Sequence, residues 1–478
     1  MSDSFFFYDL ETSGINPRSS RIMQFAGQRT DQELTPIGEH FNFLIKLSED
    51  VIPDPGAILV TGIAPQKTVS DGVSEAEFFK IFNGEIAKPN TVFVGFNNIR
   101  FDDEFIRFGQ YRNFYDPYEW QWKEGKSRWD ILDLSRITRA LRPEGIEWSF
   151  ASDGKATNRL EYLSSVNKLD HSNAHDALSD VNATIAFAKL VKQKQPKLFD
   201  YMLNIRSKKA IQNFINENEI FVYVSGKYSV EHEKLAVVKT ISKHPQKNDA
   251  VLVYNLLVDA SKFINMTPNQ LAESMVYVKD KPESDKLPIK TLQFNRCPSV
   301  APLVTLDEDS KKRLDIDQAI IDKNLELIKS NPDFIKNITE AVKLFEKSRE
   351  QKEMIIDETT VDHMLYNSFI NDFDKKVSYK LLKNSPDNIS SYSAKFNDER
   401  LKVLVPLYKA RNYPKLLTNE EIAKWENYKL SVYTKNLPIF MKQFESILSS
   451  SKLTINDKNV LEELKMYVES LIPAELYS

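Results

Sequence analysis

Near its start the chain carries four consecutive aromatic residues, Phe5-Phe6-Phe7-Tyr8, that run directly into Asp9 and Glu11 and are followed by Gly14 and Pro17. So short an apolar run, bounded by turn residues, fits a buried strand and not a helix. A second run, Thr91-Val92-Phe93-Val94-Gly95-Phe96, again passes straight into a polar segment, residues 97–103. Helical spacing follows in residues 102–113 and 130–142, the latter with Ile131, Leu134, Ile137 and Leu141 on one face. Residues 177–194 continue the pattern through Val181, Ile185 and Ala188 until Pro196 stops it. Strands that end in polar tips, with helices between them, predict an α/β domain over residues 1–200.

The texture then changes. Ile220-Phe221-Val222-Tyr223-Val224 and Val251-Leu252-Val253-Tyr254 read as strands separated by turn-rich segments, which predicts a β-rich domain over 201–352 with helices at its edges. Residues 351–360 read as a polar linker, and amphipathic segments such as 460–471 predict an all-α domain over 358–478. Three domains suit 478 residues at about 150 residues each. There is no internal repeat or low-complexity tract.

A single cysteine, Cys297, excludes an intramolecular disulfide and a cysteine-based zinc cluster, so a reducing cytoplasm is the expected compartment. No apolar stretch reaches the ~18 residues a membrane span needs. The net charge of −4 argues against a binder driven by a basic tail. The acidic excess is local: residues 1–200 hold 23 Lys and Arg against 29 Asp and Glu, whereas 201–478 hold 41 against 39. Carboxylates gathered around a cation would account for that imbalance, and would make the N-terminal segment the catalytic one.

Three elements could supply such a site. Asp9 and Glu11 lie two apart at the end of the first strand, so both project from one face, roughly 7 Å apart along the chain. In Asn98-Ile99-Arg100-Phe101-Asp102, Phe101 can anchor the turn while Asp102 opens a helix towards the first pair; Asp103 and Glu104 compete for that role. In His175-Asp176-Ala177-Leu178-Ser179-Asp180, the five-residue step is about 140° around a helix, so His175 belongs to the entering turn and Asp180 to the helix. Each element alone is most often a solvated turn or a charged helix start. As a set, in this order and context, they are not.

Asp9, Glu11, Asp102, Asp180 and His175 resemble the DEDDh exonuclease pattern, whose histidine variant is marked by His-x4-Asp. The likeness narrows to the bacterial exodeoxyribonuclease I family through residues 55–63, 97–104 and 111–118, Ala140-Leu141-Arg142-Pro143-Glu144-Gly145-Ile146, His171-Ser172-Asn173-Ala174-His175-Asp176-Ala177, and residues 408–414. It covers the whole chain and is weakest in the β-rich middle. The resemblance implies a ribonuclease H-like exonuclease domain, an SH3-like domain and a helical domain, which clamp single-stranded DNA and degrade it from the 3′ end to 5′-mononucleotides in repair and recombination. It further implies two Mg²⁺ ions, replaceable by Mn²⁺. Asp9 would bridge them, Glu11 and Asp180 would complete the nucleophile-side ion, Asp102 would support the other, and His175 would deprotonate the attacking water.

Four of the five tryptophans, Trp120, Trp122, Trp129 and Trp148, fall within 29 residues and are interleaved with Lys and Arg, a composition suited to stacking unpaired bases, although each is as readily a core residue. Candidate DNA contacts are Thr12, Arg128, Trp129 and Arg159. The resemblance also implies docking of the acidic, hydrophobic-ended tail of single-stranded DNA-binding protein, with Arg142, Tyr201, Lys227 and Arg313 as candidates, on an expected monomer without membrane attachment. Two other readings stay open at this point: an RNA-trimming or proofreading DEDDh exonuclease, and a non-catalytic clamp for single strands.

Overall fold

The computed structural model describes residues 4–170, 176–276, 285–349, 355–450 and 453–472. It divides into two compact units, Met1–Ser127 with His171–Ala183 and Glu353–Ser478, and Arg128–Asp170 with Thr184–Lys352.

In the first unit the aromatic run forms β1 (Ser4–Thr12), flanked antiparallel by β2 (Ile22–Thr30) and parallel by β4 (Thr91–Gly95), while β3 (Phe41–Leu44) pairs with the outer side of β2. β1 is thus a central strand, which explains a sequence apolar on both faces. Phe6 and Tyr8 enter a cluster with Phe25, Phe78, Phe79, Phe82, Phe93 and Trp120, in which some rings stack, as Phe6 and Phe25 at 6.3 Å, and others meet edge-on, as Phe93 and Trp120 at 5.0 Å and 88°. Register places Asp9 beside Ala26 and Glu11 beside Gln24, with an irregularity between Glu11 and Thr12 that ends regular pairing at the acids.

The C-terminal helices belong to this same unit. Tyr433, Phe440 and Phe444 of the helix Asn419–Leu448, with Leu461 and Leu464 of the helix Ile455–Leu471, pack on Met23, Leu47, Val51 and Ile58. The helix Glu399–Asn412 contains Pro406, which leaves the Lys402 carbonyl without its helical donor; the Ser393 hydroxyl donates to it at 2.9 Å. A buried ionic network ties the segment before these helices to the N-terminal strands. Asp362 accepts from Arg21 at 2.6 Å and from Arg411 at 2.8 Å, and Arg411 also pairs with Asp50 at 2.7 Å.

The chain passes between the units along β5 (Ser127–Asp130), which leads into the helix Ile131–Leu141, capped by Asp130. The second unit is built on an antiparallel sheet of β6 (Ile220–Val224), β7 (Leu235–Lys243), β8 (Ala250–Asn255), β9 (Ile289–Gln293) and β10 (Ser299–Pro302), in the order β10-β6-β7-β8-β9. The helices Gln318–Lys329 and Pro332–Ser348 close it. Part of the expected 351–360 linker lies outside the described residues.

Candidate active site

The alternation of β1 sends Tyr8 into the aromatic core and sends Asp9 and Glu11 to the opposite face. There they meet Asp180, on the first turn of the helix Ala177–Lys194, and carboxylate oxygens of all three lie within 4.8 Å of one another. Asp102, 3 % exposed, opens the helix Asp102–Arg112 beside them. Burial raises the Asp9 carboxyl well above its ordinary range, and the charges of Asp102, Asp180, Glu11 and Asp176 raise it further, in that order. Glu11 is pushed up to about 9 by burial, then by Asp180, Asp102 and Asp176. The charges that act most on this pair are all negative. Crowded hard oxygen donors are suited to divalent cations, which remove their mutual repulsion on binding.

Packing distinguishes the three acids that compete at the start of the Asp102–Arg112 helix. Asp103 is fully buried and accepts from the Tyr8 hydroxyl and, at 3.3 Å, from Asn98 Nδ2. Glu104 pairs with Arg107 at 2.6 Å and accepts from Tyr366. Of the three, only Asp102 is among the charges that raise both Asp9 and Glu11. Phe101 packs against the aromatic core, with Phe105 5.0 Å away. Asp176 is a fifth acid that sequence reasoning passed over. It caps the Asp180-bearing helix through the Ser179 amide at 3.0 Å and accepts from Gln24 at 3.4 Å. Its signal was present as an Asp three residues before that amide, the spacing of an N-cap. His175 lies outside the described residues.

The sequence matches three family models that together span the chain: Exonuclease over residues 6–188, Exonuclease I SH3-like domain over 206–346, and Exonuclease I C-terminal domain over 359–471. An exodeoxyribonuclease I of Haemophilus influenzae is 36 % identical over 470 residues, covering 97 % of this chain and 98 % of that protein. The chain belongs to the exonuclease I family. Solved family structures agree in fold: the zinc-bound Escherichia coli exonuclease I complex with single-stranded DNA superposes with a TM-score of 0.93 at 34 % identity, covering 99 % of this chain and 100 % of that one. A structure of SSB/exonuclease I with the inhibitor CFAM gives 0.88 at 34 % identity, with the same coverage. The three-part architecture expected from sequence is that of the family, and like other exonucleases of its class the protein is a metal-dependent hydrolase.

The remaining candidates in this family member divide by burial. Thr12 is buried and donates to the Gly14 carbonyl at 2.9 Å. Arg128 is 8 % exposed and donates to the Asn295 carbonyl at 2.7 Å, whereas Arg159 is exposed, 3.6 Å from Glu161. Trp129 corrects the expectation of base stacking: it is 2 % exposed and meets Phe199 edge-on at 5.0 Å, because β5 turns it into the core of its unit. Trp120 is likewise core, while Trp122 is 62 % exposed. Arg142 and Arg313 converge on the C-terminal end of the helix Ile131–Leu141, where Arg313 donates to the Arg139 and Ala140 carbonyls and Arg142 to those of Leu141 and Thr305. Tyr201 donates to the Val300 carbonyl at 3.2 Å, and the Lys227 carbonyl accepts from Lys290. Among the described residues, no helix is long and apolar enough to cross a membrane.

Proposed function

We propose that this member of the exonuclease I family hydrolyses single-stranded DNA from its 3′ end, releasing 5′-mononucleotides, and acts in the cytoplasm in repair and recombination. The observation that carries the reading is the convergence of Asp9, Glu11 and Asp180 on one point, with Asp102 beside them. These four carboxylates are the residues that would hold two Mg²⁺ ions, with Mn²⁺ as a substitute. Such ions activate the attacking water and stabilise charge on the leaving oxygen. The chain's own groups then bind and orient. By the family resemblance Asp9 would serve both ions, Glu11 and Asp180, whose oxygens lie with its own within 4.8 Å, would serve one of them, and Asp102 the other. His175 is assigned the proton of the attacking water, a task suited to a near-neutral side chain.

In this reading residues 1–200 form the exonuclease domain, 201–352 the SH3-like domain and 358–478 the helical domain of a monomer. Thr12, Arg128 and Arg159 serve the DNA strand. Arg142, Arg313, Tyr201 and Lys227 serve the acidic tail of single-stranded DNA-binding protein, because guanidinium groups suit a carboxylate terminus. A non-catalytic clamp would have no use for a cluster of mutually repelling acids.

Two variants of one assay test the function. A 3′-labelled DNA oligomer should be degraded and an RNA oligomer of the same sequence spared; equal degradation of both would assign the protein to RNA trimming. His175→Ala should keep DNA binding and lose most turnover, about 100-fold or more for a general base, and unchanged turnover would remove His175 from that role.

A further inference from the structure

We infer that the Tyr8 hydroxyl, acting through Asp103, positions the Asp102 carboxylate for metal binding; the inference rests on the divalent-cation reading of the cluster. Tyr8 precedes Asp9 on β1, so the two side chains leave opposite faces of the strand. The Tyr8 ring is 2 % exposed and lies near Phe25, at 6.1 Å, and Phe93, at 6.3 Å. A phenol oxygen in such surroundings needs a hydrogen-bond partner, and here it donates to Oδ1 of Asp103. Asn98 Nδ2 donates to that same oxygen at 3.3 Å, and the Asp103 amide donates to the Asn98 carbonyl at 2.9 Å.

The turn that carries these groups is closed unusually tightly onto β1. A Cβ on Gly95 would stand 2.7 Å from the Asn98 Cβ and 2.9 Å from the Tyr8 carbonyl oxygen, so only glycine allows this approach. Asn97 completes the turn in the left-handed region, at φ 71°. Asp103 is therefore held from the core side by a residue of β1, while the charge of Asp102, one position earlier, acts on Asp9 and Glu11 of the strand's other face. One hydrogen bond thus joins the strand that carries Asp9 and Glu11 to the helix that carries Asp102. Neither Tyr8 nor Asp103 would touch metal or substrate. They are positioning residues, and their removal should weaken metal binding and not the chemistry at saturating metal.

Mn²⁺ titration of the full chain by calorimetry, paired with melting temperatures with and without Mn²⁺, tests this. Tyr8→Phe should weaken Mn²⁺ binding about tenfold, the lower end of the scale seen when hydrogen bonds that support a metal site are lost, and should shrink the Mn²⁺-dependent rise in melting temperature. Asp103→Asn keeps the Oδ1 acceptor for both donors and should stay within about threefold of wild type. If Tyr8→Phe does not fold, Asn98→Ala should weaken binding in its place. Wild-type affinity in Tyr8→Phe, or in Asn98→Ala where that substitutes for it, would overturn the inference. So would a loss in Asp103→Asn of tenfold or more, since it would make the Asp103 charge, and not its hydrogen bond, the essential feature. Absence of Mn²⁺ binding by the wild-type chain would instead overturn the metal reading itself.

Discussion

Glu11 and Asp362 are both buried carboxylates, and their neighbours give them opposite characters. At Asp362 burial alone would raise the pKa, but Arg411, Arg21 and Arg112 outweigh it and hold the group well below its usual range. At Glu11 burial and the neighbouring acids act in the same direction, up to about 9. The consequences for stability have opposite sign. Asp362 contributes stability that is complete above its unfolded pKa near 4 and is lost as pH falls. Glu11 holds a proton in the folded state that it gives up on unfolding, so the metal-free protein loses stability as pH rises from about 4.5 towards 9. Glu11→Gln should therefore raise the metal-free melting temperature at pH 8 and flatten its decline with pH, while abolishing most of the stabilisation by Mg²⁺. Melting curves from pH 5 to 9 with and without metal check this, and a mutant no more stable than wild type at pH 8 would contradict it.

At the scale of elements, the acids depend on how their strand ends. Ser13, just past Glu11 and Thr12, donates its amide to the Arg21 carbonyl at 2.9 Å and accepts from the Arg21 amide at the same distance, and the Arg21 guanidinium is held by Asp362. Asp362→Ala leaves Arg21 and Arg411 buried without this partner and should cost about 3–5 kcal/mol in urea unfolding; a loss below 1 kcal/mol would show that water reaches the network. Asp362 is 341 residues from Arg21 in sequence, and this pairing was not legible there. The local signals were. The Phe5–Tyr8 run, the periodicity of residues 177–194 and the break at Pro196 gave β1 and the Ala177–Lys194 helix, because propensity and pattern agree at those places. The facing of Asp9 and Glu11 followed from strand alternation alone. Trp129 could not be placed, since closeness to lysines and arginines along the chain does not say which face of β5 it occupies. Nor could spacing separate Asp102 from Asp103; that required the Tyr8 hydroxyl, which approaches from the other side of the sheet.

For the molecule as a whole, a net charge of −4 opposes a polyanionic substrate. Two divalent cations in the proposed site would formally cancel it, so DNA at the 3′ end would meet metal while lysines and arginines meet the backbone further along. Binding should then fall with salt, as phosphate contacts require. The charge-reversing Arg142→Glu should abolish stimulation by single-stranded DNA-binding protein and leave activity on naked DNA near wild type; equal stimulation of the mutant would remove Arg142 from the tail's pocket. The central claim is that Asp9, Glu11, Asp102 and Asp180 form the metal site at which the 3′ end is cut. The most direct measurement is nucleotide release from 3′-labelled single-stranded DNA across a Mg²⁺ titration, for the wild-type chain and for Asp180→Asn. The account predicts no release without metal, a saturable response in the wild type and a loss of about 1,000-fold or more in the variant; release by Asp180→Asn at the wild-type rate and Mg²⁺ midpoint would contradict it.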